Sequence, residues 1–360
     1  FEEKWNDIVD NADGSLPKML KYFWISRKGH ILQSNLYREV KKYVQELEIQ
    51  NKNEGINIFV EDLYNFSKYY SAIQSLDPLQ IKQWLEEYGL NDFSENEDYY
   101  NRINRVFQAL KLFRVTQPYP IIYSLFKSYK ESPTSNTKIF FKTLETIEKY
   151  HFVNNVISGK IGNEVEKFYS KHAEMIFNSI QSFDMLSTDF INNLSVKRAH
   201  KSEFISNFIE NVTYNSKNIA LINYVFDRLN NYDKKGVSVK GAQYVNIYSP
   251  DKSLSKRNYN VEHILPQSSK INYTQNQQDQ FDKIGNLLII SRHTNSTLSD
   301  KNPKEKIQII KSDKKHHSNL RYIDNFLEMY ETKMETWDFD SIDERSEEIA
   351  NFAFEAVWKF

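Results

Sequence analysis

Asn260-Val261-Glu262-His263-Ile264-Leu265-Pro266-Gln267, followed by Ile284-Gly285-Asn286-Leu287-Leu288-Ile289-Ile290 and then by Asn295, is the stretch that decides how this chain is read. An acid beside a histidine closes a short apolar, β-prone run, Pro266 ends that run, and a second β run opens at Asn286. Hydrolysis of a phosphodiester needs a base to deprotonate water and a cation to stabilise the charge that builds on the phosphorane and on the leaving oxygen. A neutral imidazole accepts a proton near physiological pH, which fits His263 to the first task. A carboxylate is a natural ligand for a hard cation such as Mg²⁺, which fits Glu262 to the second. Neighbours on a strand point to opposite faces, so the pair can share one site only where the strand ends or bulges, as Pro266 allows.

The order of an acid-His-Ile-x-Pro-Gln segment, Gly-Asn-Leu at the second strand, a second Asn nine positions on (295 − 286 = 9) and a basic helix with Lys306 resembles the HNH (ββα-metal) endonucleases. In particular it is similar to the C-terminal nuclease domain of GmrSD-type modification-dependent restriction enzymes, whose closing helical pattern is matched by Trp337, Ile342, Arg345 and Trp358. The HNH domains of RNA-guided nucleases carry similar Asp-His-Ile-x-Pro-Gln and paired-Asn segments. The resemblance implies His263 as general base, Asn286 as the residue that holds the histidine loop in shape, and Glu262 and Asn295 as ligands of Mg²⁺ or Mn²⁺. Glu262 stands where Asp or His is commoner, and Asn295 where many members have His.

The resemblance further implies DNA as substrate, no organic cofactor, and a prokaryotic cytoplasmic setting in restriction or anti-phage defence. GmrSD-type proteins carry an N-terminal nucleotide-hydrolysing sensor domain, and nothing in this sequence looks like it; with Phe1 in place of an initiator Met, a fragment lacking that partner domain is expected. Homo-oligomerisation is left open. Two other functional readings stay open as well: a degenerate HNH fold that holds DNA without cutting it, and an HNH nuclease of another system such as an RNA-guided effector.

Composition allows a folded protein. With 360 residues, 40% of them hydrophobic and 14% aromatic, the chain can bury sizeable cores in about two to three domains. No run approaches the ~18 consecutive apolar residues of a membrane span, and Phe1 opens an acidic stretch unlike a signal peptide. The lack of cysteine excludes disulfides and Cys-type zinc sites. A net charge of −1 means that any DNA-binding surface must be local.

Up to about Tyr232, Gly and Pro are sparse and apolar residues recur at intervals of three and four, which predicts helices. Phe59, Leu63, Phe66, Tyr70 and Ile73 paint one face of a helix that ends before Asp77-Pro78. Ile103, Val106, Phe107, Leu110 and Phe113 make a second stripe, and Phe140, Leu144 and Ile147 a third; all three read as core. His30, His151, His172 and His200 stand apart from any carboxylate pattern and read as structural. Uneven loops favour an irregular bundle over a solenoid.

Polar turn residues from Asn231 to Gly236 end the helical pattern, so the domain boundary is placed there, with a helical domain over 1–235 and a nuclease domain over 236–360. Val237 to Tyr248 reads as strand or extended chain. The fold class expected is α+β, mostly α: an irregular helical bundle followed by a ββα-metal domain with two closing helices. Lys252, Lys256 and Arg257 before the motif, and Arg292, Lys301, Lys304 and Lys306 after it, are candidate DNA contacts, since phosphate contacts dominate such affinity. Pro303 suits the first turn of a helix carrying Lys304 to Lys311. Ser268 to Asp282 reads as a polar variable loop, His316-His317 as a surface loop, and Arg345 as a helix-surface residue outside the catalytic set.

Overall fold

The computed structural model describes residues 2–52, 54–75, 77–132, 136–160, 163–239, 241–248 and 258–360. It divides into two compact units: Phe1–His151 with Lys160–Lys197 and Phe360, and Phe152–Gly159 with Arg198–Lys359. The division expected at residue 235 therefore falls inside the second unit.

The first unit is helical: α1 (Glu2–Asn11), α2 (Leu16–Lys28), α3 (Gln33–Gln50), α4 (Gly55–Gln74), α5 (Pro78–Glu87), α6 (Asn91–Glu95), α7 (Glu97–Leu112), α8 (Tyr119–Glu131), α9 (Thr137–His151), α10 (Asn163–Phe177) and α11 (Phe183–Val196). All five residues of the Phe59 stripe on α4 are buried, as the 3.6-residue period requires of a core-facing helix. The junction of α4 and α5 is set locally: Asp77 accepts the Leu79 N–H at 2.9 Å, and Pro78 takes the first helical position. Inside the bundle the buried Arg27 guanidinium lies 3.8 Å from the Phe23 ring centre and 4.5 Å from that of Phe177, so aromatic faces replace part of its hydration. His151 is held at 2.9 Å by the Tyr169 hydroxyl, and His172 Nδ1–H donates to the Phe168 carbonyl, also at 2.9 Å.

The second unit opens with a π-helical turn (Phe152–Ile157) and continues through α12 (Lys201–Asn211), α13 (Ile219–Asn230), β1 (Tyr259–His263), α14 (Gln275–Gln278), β2 (Leu287–Ser291), α15 (Arg292–Leu298), α16 (Pro303–Ser312), α17 (Arg321–Tyr330) and α18 (Phe339–Phe352). A second π-helical turn, Ala353–Val357, ends it, and Trp358 stacks on Phe152 with ring centres 4.1 Å apart. β1 and β2 pair antiparallel from Tyr259↔Ser291 to His263↔Leu287 without a bulge. Every residue of β2 is buried, which is why it reads as a continuous apolar run. α16 begins with a capping box, Asn302 and Glu305 each accepting the other's backbone N–H, and with Pro303 at the first position.

Among the described residues from Val237 to Tyr248, read as strand or extended chain, no ladder strand forms. One bridge joins Ser238 to Tyr232, Gly241–Gln243 is a 3₁₀ turn, and Val245, Ile247 and Tyr248 are tied by side chains of α13 and of the residue that caps it. Asp227 accepts the N–H groups of Ile247 and Tyr248, and Asn231 accepts that of Val245, so these polar groups take the place of a partner strand. Among the described residues no helix is long and apolar enough to cross a membrane.

Candidate active site

His263 is the last rung of β1, and the loop beyond it is held by Asn286. The Asn286 side chain accepts the Leu265 N–H at 2.8 Å and donates to the carbonyls of Leu265 at 3.0 Å and Phe281 at 2.9 Å. Its backbone carbonyl accepts the Ile264 N–H at 2.8 Å. One fully buried amide thus fixes the two residues after the histidine.

Asn286 is itself held from α18. Arg345, only 2% exposed, donates to the carbonyls of Gly285 and Leu287, the residues on either side of Asn286, and to the Tyr322 hydroxyl. Burial pushes its guanidinium down to about 9, which still leaves it charged at neutral pH. The Gly285 N–H donates to Ser346 Oγ at 3.0 Å. A methyl group on Gly285 would run into the Ile342 carbonyl and the Ser346 backbone, so the glycine is there for close approach. The expectation that Arg345 is a helix-surface residue is corrected: it is a buried clamp on the loop that carries Asn286.

The imidazole of His263 faces a polar set that the local sequence pattern does not reveal. The Gln267 amide lies 3.1 Å from His263 Nε2 and 3.3 Å from Asp282 Oδ1, and Asp282 Oδ1 is 3.6 Å from the same imidazole nitrogen. Lys270 donates to the other oxygen of Asp282 at 2.7 Å. The Tyr214 ring meets the imidazole edge-on, with centres 4.6 Å apart, and the Tyr214 N–H donates to the Asp282 carbonyl at 2.7 Å. Burial pushes His263 below its ordinary value, and Asp282 opposes that shift by favouring the cation. The neutral, basic form therefore predominates at neutral pH, and the imidazolium formed on taking a proton has a carboxylate to face.

This arrangement yields a pH prediction. If His263 is the base, cleavage is lost as pH falls through its pKa, so the acid limb should have its midpoint below 6.5, the ordinary histidine value. Asp282→Asn removes the group that raises this pKa. The midpoint should then move lower still, and the plateau rate should fall about tenfold as the imidazolium loses its counter-charge. Initial rates across a pH series would check it; an unchanged midpoint would take Asp282 out of the site.

Glu262 leaves the strand on the other face. Lys306 Nζ donates to Glu262 Oε1 at 2.5 Å and to the His263 carbonyl at 2.6 Å, so the adjacent acid and imidazole do not converge on one side-chain partner. Burial raises the Glu262 carboxyl, Lys306 opposes this, and the negative charge of Asp300 adds to it. Lys306, expected as a DNA contact, is 3% exposed and taken up by Glu262 and the His263 carbonyl, which keeps it from a phosphate. Arg292 and Lys301 are exposed; Lys301 donates to the Thr297 carbonyl, and Lys304 pairs with Glu335 at 2.7 Å. Lys252, Lys256 and Arg257 lie outside the described residues.

The Asn295 side-chain oxygen is buried and has no hydrogen-bond partner among the described residues. Its helix, α15, packs against β1. A buried amide oxygen left unpaired is costly, and an amide oxygen is a donor suited to a hard divalent cation. Glu262 on β1, which feels the charge of Asp300, and Asn295 on α15 are by their chemistry donors that such an ion takes.

Asp282 and Tyr214 escape a reading of the sequence because both act through non-local contacts: Asp282 sits in what reads as a variable loop, and Tyr214 lies ahead of the expected boundary. The only local signal is a carboxylate four residues before Asn286. Comparison with known proteins bears on the whole constellation. No curated protein and no solved structure matches the chain. Residues 199–352 match the family model described as GmrSD restriction endonucleases, C-terminal domain, a span that takes in Tyr214, the hairpin, α15, α16 and Arg345. That part of the chain is thus similar to the C-terminal domain of the GmrSD restriction endonucleases.

Proposed function

We propose that the second unit is a metal-dependent, HNH-type endonuclease that hydrolyses DNA phosphodiester bonds as the effector of a prokaryotic restriction system. The observation that supports this best is a histidine at the end of a strand of the antiparallel pair, its loop held by a buried asparagine, with an Asn295 oxygen that has no partner among the described residues on the helix packed against the same strand.

In this reading β1, β2 and the helices after them form the ββα unit. His263 takes the proton of the attacking water, and Asp282 stabilises the imidazolium while the phosphorane forms. Asn286, backed by Arg345, keeps the imidazole in place by fixing Ile264 and Leu265. Glu262, held by Lys306, and Asn295 would bind Mg²⁺ or Mn²⁺, which when bound supplies positive charge to the non-bridging and leaving oxygens. Arg292 and Lys301 remain as phosphate contacts, with Lys304 able to join them by exchanging Glu335 for DNA.

With a net charge of −1 over the whole chain and Lys306 withdrawn into the interior, the chain has little electrostatic hold on DNA of its own. Targeting then falls to a nucleotide-hydrolysing sensor domain, the partner that the GmrSD resemblance implies, acting in the cytoplasm. Incubation of the purified chain with supercoiled plasmid should give nicked or linear DNA with Mg²⁺ or Mn²⁺ and none with excess EDTA. DNA binding without cleavage, even with the full restriction protein and its trigger, would leave a non-cutting DNA-binding module in place of the nuclease.

A further inference from the structure

We propose that His293, Asp313 and His316 form a binding site for a transition-metal dication of the zinc class, separate from the candidate active site. One ligand atom from each of the three lies within 4.8 Å of the other two. Imidazole nitrogen and carboxylate oxygen are the donors that Zn²⁺ takes where thiolates are absent, and three protein ligands with a water in the fourth position is a common zinc arrangement. His293 is exposed and the other two are half-buried, so solvent can reach that fourth position.

The geometry is built rather than accidental. Asp313 is the residue on which α16 ends, and the 3₁₀ turn after it places side chains three apart on one side, bringing His316 onto Asp313. His293 comes from the first turn of α15, and its ring lies against that of His316 with centres 4.2 Å apart. The second Asp313 oxygen is fixed by the Thr294 hydroxyl at 2.6 Å, which in turn lies 2.8 Å from Ser291 Oγ. A carboxylate oriented through one oxygen so that the other faces two imidazoles is how outer hydrogen bonds set up a metal ligand. The Asp313–His316 hydrogen bond spans the place an ion would take, and binding would release that proton to solvent.

His317, which the sequence pairs with His316, is not part of the site: it is buried and its Nε2–H donates to the Ile310 carbonyl at 2.7 Å. The two metal positions are distinct because His293 and Asn295 are two residues apart on one helix, about 200° around its axis. A metal here ties the start of α15 to the end of α16, the two helices next to the hairpin.

The test is zinc binding by the whole chain, freed of metal, measured by competition with a chromophoric chelator in excess Mg²⁺. One Zn²⁺ per chain is expected. His293→Ala should weaken it at least tenfold, as should His316→Ala, while Glu262→Ala and Asn295→Ala should leave it unchanged. His293 is exposed, so its replacement leaves the fold intact even if His316→Ala does not. Zinc should also raise the melting temperature of the unaltered chain and not that of His293→Ala. No zinc binding, equal affinity in His293→Ala, or loss of zinc in Glu262→Ala would each overturn the site, and none of these readouts depends on whether DNA is cut.

Discussion

His263→Ala is expected to lower Mg²⁺-dependent cleavage of plasmid DNA by ~10²–10⁴-fold, the usual cost of losing a positioned general base. The imidazole has few structural duties: it meets Tyr214 edge-on and Gln267 and Asp282 through one nitrogen, whereas the loop behind it is fixed by Asn286 and not by the histidine itself. Removing it should therefore cost no more than about 1–2 kcal/mol of stability, and the variant should melt as one cooperative unit. DNA affinity should change little, because the imidazole is neutral at neutral pH. The discriminating measurement is single-turnover cleavage alongside a thermal melt. A folded variant that nicks at the original rate would end the assignment of His263 as base.

The parts of this site legible in the sequence are those whose signal is local. Glu262, His263 and Asn286 stand out because they sit in short segments bounded by Pro266 and Gly285, and the helical stripe on α4 because its period is carried within five turns. The less legible parts depend on contacts between distant residues. The pattern shows lysines after the second strand, but not that Lys306 turns inward to neutralise Glu262, a pairing across 44 residues. It shows a polar stretch before Asn286, but not that Asp282 meets His263. Val237 to Tyr248 shows the limit of the local signal: its β-branched and aromatic residues leave strand and extended chain open, and at Val245, Ile247 and Tyr248 the hydrogen bonds a neighbouring strand would make come from Asp227 and Asn231. The paired histidines at 316 and 317 read as one surface feature, yet the 3₁₀ turn sends one to Asp313 and buries the other.

Gly285→Ala should be the most damaging conservative substitution in the domain, costing about 3 kcal/mol or more. Gly285 does not need a left-handed backbone; it needs the absence of a side chain, because the Ile342 carbonyl and the Ser346 backbone of α18 occupy the space a methyl group would take. Backbone cannot rotate aside as a long side chain can, so α18 must withdraw. Withdrawal breaks the Gly285 N–H bond to Ser346 Oγ and strains the Arg345 bonds to the Gly285 and Leu287 carbonyls, all of them buried. Overpacking alone typically costs ~1–3 kcal/mol, and each buried polar group left unpaired adds ~1–3 kcal/mol. For a unit of this size 3 kcal/mol corresponds to a fall of roughly 6–12 °C in melting temperature. Gly159→Ala in the same unit is the control: it has a positive φ of 62° but open space around it, so only backbone strain of ~1–2 kcal/mol is expected. Cleavage should fall with Gly285→Ala even below its melting transition, since the displaced Asn286 no longer holds Ile264 and Leu265, and His263 loses its fixed approach to the water. A Gly285→Ala protein that melts and cuts like the original would show that α18 does not hold the histidine loop.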